Sequence, residues 1–292
     1  MVIEPGQTYR RTGKERYTNE PGKGVSRYLV FFIGIALMMS AGTYALKNTI
    51  LNVKVAVSEV TKTVYVKQAT ATLNSVVATL ASQNNIPSSL TSNLVTKSQV
   101  KTDLASVTRN IYAGKSEIID SALIKKQIEQ NLTKKAESAG ISTDSAIYQS
   151  AQNTFLSEMS SYITSKISAT PAAKLAKVIA NVKKTNNLIF IIGIISFIVL
   201  SLLLIIHDRN IFRIVYYWGI SAIWSGIFLA ATAFLIGNSE IPNKIASMAD
   251  QASGLIGTLL QITFDQVQSY GLLLIGIGAV LFILGLLRRI IR

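Results

Sequence analysis

The chain has 292 residues, of which 49% are apolar and only 15% charged. This composition excludes an intrinsically disordered protein and is too apolar for an ordinary soluble domain. The sequence contains no cysteine, which excludes disulfides and thiolate metal sites. Its single histidine, His207, excludes a site built from several imidazoles.

Four uncharged apolar segments approach or reach the length of a membrane span, which is about 20 residues for a hydrocarbon core of about 30 Å. They are residues 28–46, 188–206, 214–237 and 271–287. The first also resembles the apolar region of a signal peptide, but the long polar segment before it favours a retained anchor. We therefore predict an all-α membrane protein with four transmembrane helices and a large helical extracytoplasmic domain between spans 1 and 2. Whether the first span is cleaved stays open.

Basic residues predict the orientation of these spans. Eleven lysines and arginines lie in the tail, the 207–213 turn and the C-terminal residues, whereas the opposite short loop has only Lys244. The positive-inside rule then predicts a multi-pass plasma-membrane protein with both termini cytoplasmic. The predicted order is a cytoplasmic tail (1–27), span 1 (28–46), an extracytoplasmic helical domain (47–187), span 2 (188–206), a cytoplasmic turn (207–213), span 3 (214–237), an extracytoplasmic amphipathic helix (238–270), span 4 (271–287) and a cytoplasmic C-terminus (288–292).

Apolar residues spaced by three and four positions predict helices in the extracytoplasmic domain. The apolar positions are Val100, Leu104, Val107 and Ile111; then Ile124, Ile128 and Leu132; then Ile147, Ala151, Phe155, Met159, Ile163 and Ile167. Residues 47–82 are ambiguous, because Val53, Val55 and Val57 alternate as in a strand while later residues return to helical spacing. We favour a continuous helix from the first span to about Ser82, with a strand hairpin as the alternative.

The net charge of +14 is not a nucleic-acid footprint, because much of it lies in cytoplasmic flanks or in the outer domain. Residues 47–186 have seventeen basic and eight acidic side chains. Such a surface is either a solvated lysine-rich face or one that attracts anionic wall polymers or lipid headgroups.

Another group of apolar residues with helical spacing lies just before the second span. These residues occupy the helix face opposite several lysines, on a helix that we predict to start at Pro171 and to enter the membrane without a break. We propose this group as a partner-binding stripe formed by Leu175, Val178, Ile179 and Val182.

Residues 238–270 follow heptad spacing, with apolar positions at Ile245, Met248, Ala252, Leu255, Leu259 and Ile262. This predicts an amphipathic helix that either packs on the outer domain or lies in the membrane interface.

Small residues recur on one face of the third and fourth spans, where they allow helix backbones to approach closely in lipid. We predict that this face packs the two spans together. In one interpretation it also binds a second copy of the chain or a partner protein. Its residues are Ala222, Gly226, Ala230, Gly271, Gly278 and Gly285.

No motif indicates catalysis, and we predict no catalytic, cofactor-binding or metal-binding residue. The outer acids fall mostly on polar helix faces, and the dinucleotide and P-loop glycine motifs are absent. The spans lack ionisable residues, which disfavours an ion-coupled carrier.

We therefore predict a non-enzymatic scaffold or accessory subunit of a bacterial cell envelope that acts through its basic outer domain. Its partners would be the lipid bilayer and a membrane or envelope protein, or further copies of the chain. The alternative is a channel or transport-associated subunit that forms a pore on oligomerisation, with Ser221, Ser225 and Thr232 available to line it. An envelope enzyme that uses outer carboxylates is a third possibility.

Overall fold

A computed structural model describes residues 23–169, 172–248 and 252–290, and every regular element in them is helical. No strand occurs among these residues. The helices are α1 (Lys23–Asn48), α2 (Val53–Val60), α3 (Thr63–Gln83), α4 (Ser88–Thr91), α5 (Lys97–Tyr112), α6 (Ser121–Ser138), α7 (Ala146–Ala169), α8 (Ala172–Asp208), α9 (Ile211–Gly237), α10 (Ile241–Ser247) and α11 (Ser253–Ile290).

Four of these helices, α1, α8, α9 and α11, are long and apolar enough to cross a membrane. The α9 and α11 helices form the most extensive contact, α1 packs between α8 and α9, and α8 scarcely touches α9. The spans are therefore arranged in the order α8, α1, α9, α11. Helices α2–α7 lie at the end of the spans where α1 leads to α2, and we call this end the bundle end. The opposite end, where α8 joins α9, is called the turn end.

The α2–α7 helices form a bundle with its own hydrophobic core. Phe155, Leu94 and Leu132 are almost completely buried in this core, and α3, α4, α5, α6 and α7 all contribute to it. Local capping fixes where two of the helices begin. Thr96 and Gln99 form a reciprocal capping box on α5, and the Asp120 carboxylate accepts a hydrogen bond from the backbone N–H of Leu123 on α6.

The predicted helical character of residues 47–82 is confirmed, but the predicted continuity is wrong. The segment consists of the end of α1 followed by α2 and α3, with short turns between them. The Asn52 side chain accepts a hydrogen bond from the backbone N–H of Lys54 and so starts α2 as a new helix. The alternation of valines therefore does not form a strand.

Residues 238–270 do not form one separate amphipathic helix. The short α10 is followed by α11, which passes from Ser253 through Gly271 to Ile290 without interruption. Three glycines of α11 lie directly against α9, where their lack of a side chain lets the two helices approach closely; they are Gly271, Gly278 and Gly285. The start that we predicted for α8, Pro171, lies outside the described residues, as do tail residues 1–22 and C-terminal residues 291–292.

Candidate functional site

The glycines of α9 and α11 bring the two helix backbones into direct contact. A β-carbon on Gly226 would lie 2.5 Å from the carbonyl oxygen of Gly271, and one on Gly271 would lie 2.7 Å from the backbone nitrogen of Ala230. One heptad away, a β-carbon on Gly278 would lie 2.8 Å from the carbonyl oxygen of Gly219. Any side chain at these positions would separate the helices, because the atoms it meets belong to the backbone.

The other small residues that we singled out lie in or beside this contact. Gly285 packs against the backbone of Tyr216, and Ala222 is 4% exposed. Sequence reasoning missed Gly219, although it lies seven residues before Gly226 and shares its face. These residues are used for packing within one chain, so a homo-oligomer would have to use other faces.

The hydroxyl groups considered for a pore do not share one surface. Ser221 and Ser225 are completely buried. The Ser221 hydroxyl lies 2.9 Å from the carbonyl oxygen of Val30 on α1, to which it donates a hydrogen bond. Thr232 lies on an exposed face of α9. In a single chain, therefore, these three side chains do not line one path.

The apolar stripe on α8 is largely uncovered by the rest of the chain. Leu175, Val178 and Val182 keep 41%, 53% and 44% of their surface exposed. Ile179 is half-buried, and the neighbouring Ala176 is 1% exposed. The α8 helix thus turns one face toward the bundle and leaves the stripe toward its surroundings.

Tyr112, at the end of α5, connects helices α2–α7 to two of the membrane-spanning helices. Its hydroxyl donates to the carbonyl oxygen of Ile50 at 2.6 Å, just beyond α1. Lys183 of α8 donates through Nζ to the Tyr112 carbonyl oxygen at 2.9 Å and lies 4.8 Å from the centre of the Tyr112 ring. Burial raises the pKa of the Tyr112 phenol, which keeps the hydroxyl protonated as a donor. The bundle is therefore fixed to both α1 and α8.

A further polar contact joins α1 to α8 slightly farther from the bundle end than Tyr112. The Asn186 amide nitrogen donates to the carbonyl oxygen of Thr43 at 3.0 Å, and Asn186 is 6% exposed. Two helical turns further along α8, Gly193 lies close to Ser40, so that a β-carbon on Gly193 would lie 2.5 Å from the Ser40 hydroxyl. Close backbone approach and an interhelical hydrogen bond both stabilise helix pairs in lipid.

The bundle also contacts the other pair of spans. The Tyr65 hydroxyl on α3 and the Thr258 hydroxyl on α11 are 3.3 Å apart and share a hydrogen bond. Below them, the rings of Tyr44 on α1 and Tyr270 on α11 have centroids 5.5 Å apart. The first half of α11 therefore contacts the bundle through the Tyr65 hydroxyl.

A buried carboxylate connects three helices at the turn end. The Asp208 side chain is 4% exposed, and its Oδ1 lies 3.3 Å from Nε of Arg213 on α9. Its Oδ2 accepts a hydrogen bond from the hydroxyl of Ser26 on α1 at 3.0 Å. Arg209, between the two spans, has a φ of 47°, which allows the chain to reverse within two residues.

The acidic residues of the bundle do not gather into a site. Within the described ranges, no group of three or more histidine, aspartate or glutamate side chains is placed to hold a metal ion. Contrary to the expectation of a solvated face, Glu59 is 4% exposed, and it pairs with Lys62 at 2.6 Å. Asp103 is half-buried near Gln127.

The triplet 131–133 has the form of a glycosylation sequon, but its asparagine is used structurally. The Asn131 amide nitrogen donates to the carbonyl oxygen of Leu94 at 2.8 Å and to the side-chain oxygen of Gln99 at 3.0 Å. This side chain therefore holds α6 against the loop before α5.

The chain matches no protein-family model, and comparisons with curated proteins and with solved structures find no significant match. The site must therefore be interpreted from its own geometry. Its main features are the exposed apolar stripe of α8 and the contacts that fix this helix to the bundle and to α1.

Proposed function

We propose that the chain is a non-enzymatic scaffold or accessory subunit of the cell envelope, in the plasma membrane. In this proposal the bundle is extracytoplasmic, both termini are cytoplasmic, and the bundle holds α8 in place so that its stripe binds a partner. The basic surface of the bundle strengthens attraction to acidic partners.

The exposed stripe of α8 is the observation that carries the proposal. Apolar side chains are normally covered where a helix is surrounded by water, and contiguous exposed ones indicate an interaction site. Leu175 lies thirteen residues before residue 188, where the uncharged segment begins, which is about 20 Å along a helix. Lipid tails do not reach this height, since headgroups extend only about 5–8 Å beyond the hydrocarbon core.

Charges at the two ends of the spans support the proposed orientation. Arg27, Arg209 and Arg213 all belong to the turn end, and the segment joining α9 to α11 has only Lys244 as a basic residue. Arginine and lysine in short flanks favour the cytoplasmic side.

The natural absence of cysteine allows a direct test of orientation. Single cysteines replace Ser142, exposed on the bundle, or Gly24, which has open space around it at the turn end. A membrane-impermeant maleimide applied to intact cells should label Ser142→Cys, and should label Gly24→Cys only after the cells are opened. The reverse pattern would contradict the proposed orientation.

The size of the complex in native membranes tests the function. We expect the chain, extracted in mild detergent, to migrate in an assembly larger than its own micelle, and Val178→Glu to release it. Ser138→Glu is the matched control, because Ser138 is exposed on α6, away from the stripe. An assembly unchanged by Val178→Glu would refute the stripe as the binding surface, and ion flux through liposomes containing only this chain would support a pore instead.

A further inference from the structure

Three lysines of α1 and α8 lie at the boundary of the membrane at the bundle end. Lys47 directly follows the uncharged segment 28–46 of α1. Lys183 and Lys184 lie about one helical turn before residue 188, where the uncharged segment of α8 begins. Lys47 and Lys184 are exposed, and Lys183 is half-buried. Side chains at this level of a span meet the headgroups of the bilayer.

The chain itself provides no counter-charge for these lysines. Among the described residues, none of the three forms an ion pair with a carboxylate. The two segments to which they belong, residues 28–58 and 172–207, contain no aspartate or glutamate. The lysines therefore produce a positive potential that an anion from outside the chain can neutralise.

Aromatic rings lie beside Lys47 where α1 meets α8. Nζ of Lys47 lies 5.6 Å from the centre of the Phe190 ring. The Phe190 ring is stacked against Tyr44 of α1, with the two centroids 6.1 Å apart, and Tyr44 is 45% exposed. An ammonium group is attracted to the face of an aromatic ring. The charge of Lys47 is therefore held at the membrane boundary, next to α8.

One face of α8 changes from charged to apolar in the same order as the parts of a phospholipid. Lys183, Asn187, Phe190, Ile194 and Ile198 are spaced by four, three, four and four residues, so they lie on one side of the helix. Asn187 is exposed, and Ile194 and Ile198 are 38% and 50% exposed. From Asn187 to Ile198 the helix rises about 16 Å, which is about half of a hydrocarbon core of about 30 Å. This face thus presents a cation, an amide, an aromatic ring and aliphatic side chains across one leaflet.

We propose that the end of α1 and this face of α8 form a binding site for an anionic phospholipid. The three lysines contact its phosphate, the Asn187 amide donates to a phosphate or ester oxygen, and an acyl chain lies along Ile194 and Ile198. Basic residues beside membrane helices bind anionic headgroups in this way. A soluble anion would meet only the lysines, whereas a phospholipid also covers the exposed apolar side chains. The site uses none of the residues of the partner-binding stripe, so it is independent of the proposed function.

Native mass spectrometry of the full chain, released from detergent, tests the proposal. Phosphatidylglycerol and phosphatidylcholine with identical acyl chains are titrated separately into the delipidated protein, and the affinity for the first bound lipid is measured. We expect phosphatidylglycerol to bind several-fold more tightly. Lys47→Gln/Lys184→Gln should reduce this preference several-fold, whereas Lys47→Arg/Lys184→Arg should keep it because the charge remains.

The matched control is Lys126→Gln/Lys134→Gln, at exposed lysines of α6. It removes the same charge from a helix that packs mainly against α4 and α7, so we expect the lipid preference to stay unchanged. Equal affinities of the unchanged chain for the two lipids would overturn the proposal, and so would an equal loss of preference in the two glutamine variants.

A phosphatidylglycerol with a photoreactive group in its acyl chain locates the bound lipid. We expect labelling within residues 187–198, suppressed by excess unlabelled phosphatidylglycerol and not by glycerol 3-phosphate. Labelling spread evenly over the exposed faces of all four spans would overturn the site. Suppression by glycerol 3-phosphate would overturn the phospholipid as the ligand and show that a free phosphate ester is sufficient.

Discussion

The β-carbon that Gly226 lacks would lie 2.5 Å from the carbonyl oxygen of Gly271. Since the facing atoms are backbone, no rotamer change relieves such a clash, and the two spans would have to move apart. We expect Gly226→Ala to lower the free energy of unfolding in detergent micelles by about 1–3 kcal/mol. Thermal or denaturant unfolding followed by helical circular dichroism measures this effect.

The matched control is Gly276→Ala on α11, because nothing lies within 4 Å of a β-carbon there. We expect Gly276→Ala to raise the stability by about 0.5–1 kcal/mol, because alanine favours a helix over glycine and meets no neighbour here. Equal effects of the two substitutions would show that glycine replacement in itself, and not the α9–α11 contact, determines the loss.

The Tyr112 hydroxyl holds the end of α5 to the chain just after α1. In Tyr112→Phe the carbonyl oxygen of Ile50 loses a donor 2.6 Å away, while the aromatic ring beneath Lys183 is retained. We expect a destabilisation of about 1–2 kcal/mol and faster amide hydrogen exchange in residues 49–52. Tyr28→Phe is the control, since Tyr28 is 71% exposed on α1, and should leave both measurements unchanged.

Burial of Asp103 predicts a pH-dependent stability. Burial raises the pKa of the Asp103 carboxyl above its ordinary value of 3.8, and a hydrogen bond with the Gln127 side chain opposes this in part. The folded chain thus binds this proton more tightly than the unfolded chain. The contribution of Asp103 to the free energy of unfolding is fully favourable below the pKa of this carboxyl in the unfolded chain. It is lost as the pH rises through the higher pKa of the carboxyl in the folded chain.

It follows that Asp103→Asn removes an unfavourable burial of charge at neutral pH. We expect the variant to have a higher Tm than the natural chain at about pH 7, and the difference to disappear below about pH 3.5. Asp144→Asn, at an exposed carboxylate, controls for the change in net charge. A Tm difference that is independent of pH would contradict the assignment to Asp103 ionisation.

Asp208 should be important for the turn end, because it contacts Ser26 of α1 and Arg213 of α9. We expect Asp208→Ala to destabilise the chain by about 1–3 kcal/mol, since the Ser26 hydroxyl loses this buried acceptor while Arg213, 40% exposed, regains water. Glu240→Ala breaks an ion pair whose side chains are 83% and 72% exposed, and should change stability by less than about 1 kcal/mol. These two effects are compared by measuring the unfolding midpoints of both variants and of the unchanged chain in the same detergent.

Sequence reasoning located the four spans because uncharged apolar length is a local property. It also predicted that the second span continues outward as one helix from about Pro171, and α8 does extend from Ala172 to Asp208. It did not predict that the fourth span begins as early as Ser253, because it treated residues 238–270 as a separate amphipathic helix. Helical spacing also failed at Ile147, which is 85% exposed although it fits the α7 pattern. Whether a face is covered depends on a neighbouring helix, and spacing along the chain does not contain that information.

The small residues of the third and fourth spans also show what spacing along the chain predicts and what it does not. Small residues that recur every four positions in the third span and every seven in the fourth indicated a close helix contact, but Gly219 was left out and the atoms that each residue meets were undetermined. The buried Glu59 and the Tyr112 junction have no signal in the sequence, because a single acid or tyrosine among helices has the same local pattern whether buried or exposed.

The α8 helix is one uninterrupted element of 37 residues that is held by the bundle at one end and by the Asp208 contacts at the other. A rod of this kind is about 55 Å long, so tilting it by about 10° displaces its far end by about 10 Å. Sharp helix kinks occur almost always at proline, at paired small residues, at π-bulges or where a side chain or water is inserted, and the interior of α8 has no proline. A load applied to the bundle would therefore tilt α8 as one rod and displace the 207–210 turn at its other end, without any helix having to unwind.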